Sequence, residues 1–222
     1  MSDNTPTPVV SKYRRLRFAP VAIAAGVLGA VLLSVSMTGT LSGFVASITN
    51  SQNTAATGAL VMQEQNAGAT VTCLSTDGGT VSTNTATCST INKFGGSTTM
   101  VPGVTVTTPI TIKNAGTVPA GSFALSTGTA CAQSANSATT FNGTATDLCA
   151  KLTVVITSGS TTVFSGTAAS LGTATAASFT MPAAPAAGVS VPFSIAVTLL
   201  STAGNTYSGL SASVPMTWTF NS

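Results

Sequence analysis

The sequence predicts an all-β protein: an antiparallel two-sheet β-sandwich, jelly-roll-like, preceded by a helical signal or anchor segment. Three observations carry that expectation. Charged residues make up only 5% of the 222 residues and hydrophobic ones 44%, whereas an average soluble domain is about a quarter charged. The polarity comes from Ser, Thr, Asn and Gln, a composition that suits a secreted surface protein. Apolar residues recur with period two in four separate runs, which is the spacing of one face of a strand. Between the runs lie Gly, Asn, Pro and Ser, the residues of turns.

The leader comes first in the chain. Residues 1–11 are polar and include Pro6 and Pro8, and Lys12, Arg14, Arg15 and Arg17 follow. Phe18–Val35 then runs uncharged for 18 residues. Basic, then apolar, then small and polar is the order of a secretory signal, whose charges stay on the cytoplasmic side. A retained anchor is the alternative, since 18 residues suffice for a marginal membrane helix. Arg14-Arg15 resembles a twin-arginine signal, but the flanks YRRLRF fit it poorly. Small-x-small patterns allow several cuts between Ser36 and Ala46.

Ala59–Met62 reads as the first strand of the body. Val104, Val106, Ile110 and Ile112 share one face, with Thr108 between them, and Leu152, Val154 and Ile156 repeat the pattern. Val189, Val191, Phe193, Ile195, Val197 and Leu199 alternate in phase, as do Leu210, Ala212, Val214, Met216, Trp218 and Phe220. Each run turns an apolar face inward and a Thr/Ser face outward, which puts Trp218 in the core. The connections are Asn114-Ala115-Gly116, Asn142-Gly143, Ser158-Gly159-Ser160 and Ala203-Gly204-Asn205, with Pro182 and Pro185 in a further loop. Pro109, Pro192 and Pro215 fall inside strand patterns, which predicts edges or bulges there because proline cannot donate to a ladder. No amphipathic helix of three turns is evident, and about 180 residues after the leader can bury a good core.

TLSGFVASITNSQNTAATGALVM (Thr40–Met62) resembles the leader and mature start of TasA/camelysin-type proteins. These are exported by the general route and cut by a dedicated signal peptidase of the SipW kind. The family pattern is a small residue, then Phe, then a polar stretch ending in a T-G-x-L strand. It maps onto Gly43, Phe44 and Thr57-Gly58-Ala59-Leu60. The resemblance implies cleavage between Gly43 and Phe44. It divides the chain into a signal peptide (1–43), an N-terminal donor-strand and linker segment (44–58) and a β-sandwich domain (59–222). PITIKNAGTVPAGSFALS (Pro109–Ser126) and GLSASVPMTWTFNS (Gly209–Ser222) resemble the family's central hairpin and closing strand. Residues 65–100 and 127–185 carry no recognisable family motif.

Four cysteines lie in that middle region: Cys73, Cys88, Cys131 and Cys149. An even count in an exported chain points to disulfides, with three possible connectivities. Loop closure favours Cys73–Cys88 and Cys131–Cys149, the pairs that close the short loops, each worth roughly 3 kcal/mol in the chain-entropy model. A metal site lacks CxxC spacing and any His partner.

The chain has no histidine, which removes the commonest general base and metal ligand. Ser-His-Asp, Cys-His and HExxH constellations are impossible. After Gly43 the only carboxylates are Glu64, Asp77 and Asp147. Asp77 reads as a turn residue and Glu64 as a solvated edge residue. Camelysin-like proteins are sometimes classed as metallopeptidases, but the ligands for such chemistry are missing here. We expect no enzyme activity and no cofactor. Beyond the leader the charges cancel, which excludes a basic nucleic-acid surface.

Two functions fit these residues. The first, implied by the resemblance, is a secreted structural subunit of extracellular fibres or pilus-like filaments of a bacterial biofilm matrix. Phe44, Ala46 and Ile48 alternate, so Phe44–Ile48 can add as a strand to a neighbouring molecule's sheet, with the chain itself as partner. Head-to-tail repetition then builds a filament, and the membrane is met only through residues 1–43 before cleavage. The same segment can instead be the first strand of its own domain or a frayed tail. The second function is a monomeric cell-surface adhesin or binding module held by an uncleaved leader; no aromatic cluster marks a sugar site.

Overall fold

The computed structural model describes residues 23–28, 30, 48, 54–78 and 83–222. Residues 23–28 and 30, within the leader, are helical and exposed. Among the described residues no helix is long and apolar enough to cross a membrane. The chain divides into two units, Met1–Ala55 and Ala56–Ser222, and the second holds the sheets.

That unit consists mostly of strands in antiparallel sheets. They are β1 (Met62–Asn66), β2 (Thr72–Leu74), β3 (Thr105–Asn114), β4 (Ser122–Thr127), β5 (Ala132–Ala135), β6 (Leu152–Ser158), β7 (Thr161–Thr167), β8 (Ser190–Leu199), β9 (Leu210–Ser213) and β10 (Met216–Asn221). Two single-turn helices, α1 (Leu148–Lys151) and α2 (Ala168–Gly172), precede β6 and follow β7. Thr167 caps α2: its Oγ1 accepts from the Ser170 amide at 3.1 Å, while Ser170 Oγ accepts from the Thr167 amide at 2.8 Å, the reciprocal arrangement of a capping box.

Six strands form one sheet in the order β2-β1-β3-β8-β6-β7. Its inner face follows the expected alternation. Val191, Phe193, Ile195, Val197 and Leu199 of β8 are buried, as are Val154 and Ile156 of β6 and Ile110 and Ile112 of β3. On the outer face, Thr105 and Thr198 face each other across β3 and β8 with hydroxyls 2.7 Å apart. The β6–β7 hairpin turns at Gly159, whose φ of 57° is a conformation that glycine adopts without strain.

Several expectations are corrected. The first strand is Met62–Asn66, not Ala59–Met62. Residues 59–61 run instead along the β3–β4 turn: the Thr117 amide donates to the Ala59 carbonyl at 2.7 Å, and the Ala115 amide to that of Val61 at 2.8 Å. Val104 and Val189, read as strand residues, are exposed and precede β3 and β8. Pro109 and Pro192 occupy the two central strands rather than edges. They are tolerated because each lies where an outer neighbour has ended: β1 pairs with β3 only from Ile110 onward, and β6 reaches only Ser194 of β8. Past that end, Ser158 Oγ donates to the Pro192 carbonyl at 2.8 Å.

The expected single second sheet is instead two separate pairs, β10-β4 and β5-β9. The run Leu210–Phe220 keeps its phase but divides at Val214-Pro215, so that β9 pairs with β5 and β10 with β4. The β4–β10 pair packs on β8 through aromatic rings. Trp218 lies 4.6 Å from Phe193, and Phe123 lies 5.8 Å from Phe193, centroid to centroid. All belong to one hydrophobic core.

Asn114 closes the end of the large sheet. It is fully buried, and its Nδ2 donates to the carbonyls of Val118 at 2.9 Å and Pro185 at 3.1 Å, while its Oδ1 accepts from the Gly116 amide at 3.0 Å. A Cβ on Gly116 would collide with the backbone of residues 59–61. The Asn-x-Gly of this turn thus serves packing.

Candidate functional site: a groove beside a free strand edge

β10 pairs with β4 along one edge through Met216↔Thr127 to Asn221↔Ser122. Among the described residues no strand pairs with its other edge. A groove of about 1450 Å³ opens there, with Met216–Asn221 along one side. Thr83–Cys88 and Thr98–Pro102 line it as well, together with the core residues Leu148, Leu152, Val197 and Leu199. It is larger than the ~300–1,000 Å³ of small-ligand pockets and runs beside unpaired backbone, the setting for an extended peptide.

The two disulfides are paired as loop closure favoured. Cys73–Cys88 has a Cα separation of 5.8 Å and Cys131–Cys149 one of 6.0 Å. Such bonds persist in oxidising compartments outside the cytosol. Cys73 lies in β2 and Cys88 in the groove-lining segment, so the first bridge ties that segment to the large sheet. The second joins the start of β5 to α1.

Among the described residues only Glu64 and Lys93 bring charge to the groove lining. Glu64 was expected at a solvated edge, but it is only 8% exposed. β1 is not an edge, because β2 and β3 flank it. Lys93 Nζ stands 2.8 Å from Glu64 Oε1, close enough for an ion pair although off the hydrogen-bonding direction. Burial makes this pairing necessary, since removing either partner strands a charge at a cost of about 3–5 kcal/mol. The signal in the sequence was the isolation of these two opposite charges in a nearly uncharged domain.

The other carboxylates are engaged in local structure. Asp77 Oδ2 accepts from the Leu74 amide at 2.6 Å, as a turn residue does. Asp147 Oδ1 accepts from the Tyr207 hydroxyl at 2.7 Å, and Lys151 lies 3.9 Å from its Oδ2. That hydrogen bond, with some desolvation and the carboxylate's charge, raises the Tyr207 phenol above its ordinary pKa.

Trp218 is buried, as its phase required, at 8% exposure. Among the described residues its buried Nε1–H has no hydrogen-bond partner, although Trp218 lines the groove. Sequence reasoning placed this residue in the core but had no means of seeing the unsatisfied donor.

The proposed cleavage residues Gly43 and Phe44, and the donor-strand residue Ala46, lie outside the described residues. Ile48 is described and fully exposed. No family model matches the chain, and no curated protein matches it.

Proposed function

We propose that this protein is a secreted structural subunit of extracellular fibres, of the kind found in a bacterial biofilm matrix. Its copies assemble head to tail by donating the N-terminal strand Phe44–Ile48. The observation that carries this reading is the unpaired edge of β10 beside a large groove with core residues in its lining. An added strand satisfies such an edge. The donor FVASITNSQNTAATG (Phe44–Gly58) is uncharged, matching a groove whose two charges neutralise each other. The linker Thr49–Gly58 has ten residues, a reach of about 35 Å when extended.

In this reading the groove is the gap in the second layer of a jelly-roll-like β-sandwich, and a neighbour's strand completes it. The leader 1–43 is a signal peptide of the TasA/camelysin type that the sequence resembles. A dedicated signal peptidase cuts it between Gly43 and Phe44 after export by the general secretory route. The role is architectural and not enzymatic, it involves no nucleic acid, and the membrane is touched only through residues 1–43.

Electron microscopy of the exported protein tests this reading. Fibres are expected from protein that begins at Phe44, and none from a variant lacking Phe44–Thr49 that remains folded by circular dichroism. Fibres from that variant, or protein retaining residues 1–43 in the membrane fraction without fibres, contradict it.

A further inference from the structure

The chain enters the β-sheet unit at one end of the groove. The Ala59 amide donates to Thr117 Oγ1 at 2.9 Å, and the Ala59 carbonyl accepts from the Thr117 amide at 2.7 Å. A Cβ on Gly58 would strike the Val118 side chain. Residues 58–61 are therefore fastened to the β3–β4 turn. Three residues beyond Val118, about 10 Å of chain at most, the Gly121 amide donates to the Asn221 carbonyl at 2.6 Å. Asn221 is the last residue of β10. Leu60 lines the groove, and its carbonyl accepts at 2.7 Å from Nδ2 of Asn84, another lining residue. The point where the N-terminal tail leaves this unit thus lies at the Asn221 end of the groove. Met216, at the other end of β10, is about 17 Å away along the strand.

We propose that Phe44–Ile48 of a second copy enters the groove at the Met216 end and lies antiparallel to β10, so that the fibre axis follows this strand. The inference rests on the strand-donation reading above and adds to it the polarity of the contact. Entry at the Asn221 end would bring the exit ends of two copies together. Each tail would then stand at the other's groove, and mutual exchange would close a dimer, because a self-complementary contact uses itself up. Entry at Met216 sets the exit end of one copy against the Met216 end of the next, a contact that repeats without closing. The donor then runs into the groove N-terminus first. Phe44 reaches toward Asn221 and Ile48 stays near Met216, while β10 runs from Met216 to Asn221. The strands are antiparallel, the slightly more stable pairing. A tail folded straight back into its own groove would run parallel to β10 instead, so polarity separates exchange between copies from self-insertion.

Photo-crosslinking within fibres reads the polarity. The exported protein carries benzoylphenylalanine in place of Thr217 or of Asn221, which are exposed and lie toward opposite ends of β10. Fibres grown from mixed nitrogen-15 and unlabelled copies are irradiated, digested and analysed by mass spectrometry. The probe at position 217 should link to residues 47–50 of another copy, and the probe at position 221 to residues 44–46. The reverse assignment overturns the antiparallel polarity and leaves strand donation standing. Links that join only residues of one copy, or no links to residues 44–58 from either probe, overturn both. Should a probe-bearing protein fail to fold or assemble, the unaltered protein decides. Peptide 44–58 with a nitroxide at its N-terminus, added to the unassembled protein, should broaden amide resonances near Asn221 more than those near Met216. The opposite gradient overturns the polarity, and no broadening along β10 overturns strand acceptance with it.

Discussion

The six-stranded sheet and the β4–β10 pair share one core and one Thr-rich composition, yet their edges are treated differently. The large sheet ends on one side at β2, a strand of three residues. On the other side it ends at β7, whose pairing with β6 shifts register between Ile156 and Thr157. A short strand and a bulge are both ways of blunting an edge. β10 has neither device: MTWTFN is six residues long, carries no Lys or Pro within it, and pairs in unbroken register with β4. Its outward side chains, Thr217 and Thr219, are exposed like the outer-face threonines of β3. The difference teaches that composition does not decide which edge is open. The devices at each edge decide it, and among the described residues β10 is the longest groove-lining strand with an unpaired edge, β9 of the β5–β9 pair being only four residues long.

The widest gap between the two regions should appear on truncation of core residues. Ile195 of β8 has no exposed surface, so Ile195→Ala should cost about 4 kcal/mol in denaturant unfolding and impair assembly only through loss of fold. Met216 is half-buried at the groove. Met216→Ala should cost less than about 2 kcal/mol but weaken fibre formation in the protein that stays folded. Equal costs at the two sites would break the distinction between a closed and an open layer.

The Cys73–Cys88 bridge sharpens the same contrast at intermediate size. Replacing both cysteines by Ser should cost roughly 3 kcal/mol for a loop of this length. It should also free the groove-lining segment, so that fibre yield falls at temperatures where the domain is still folded. Removing Cys131–Cys149, which closes a loop of similar length, should cost about the same stability and leave the Thr83–Cys88 segment still tied to the large sheet through Cys73–Cys88. Indistinguishable fibre yields from the two double variants would show that the groove lining needs no tether.

Legibility in the sequence follows the same division. β8 was readable because Val191 to Leu199 alternate without interruption and both faces keep their character. The disulfides were readable because the pairs that close short loops are the ones formed. The run from Leu210 to Phe220 read as one strand since phase survives a break; that Pro215 sends the two halves to different partners depends on pairings about 75 to 100 residues away. Glu64 was misread because nothing local announces that β2 folds back over β1 or that Lys93 arrives beside it. The groove itself had no local signature, being an absence between segments distant in sequence. The leader and the Phe44–Ile48 pattern rest on sequence alone.

Hydrogen exchange of the β10 backbone bears most directly on strand acceptance. Among the amides of Met216–Asn221, those directed away from β4 should exchange quickly in the unassembled protein and become protected in fibres. Peptide 44–58 added to the unassembled protein should protect the same amides. If those amides exchange equally fast in fibres and in free protein, β10 does not receive the incoming strand.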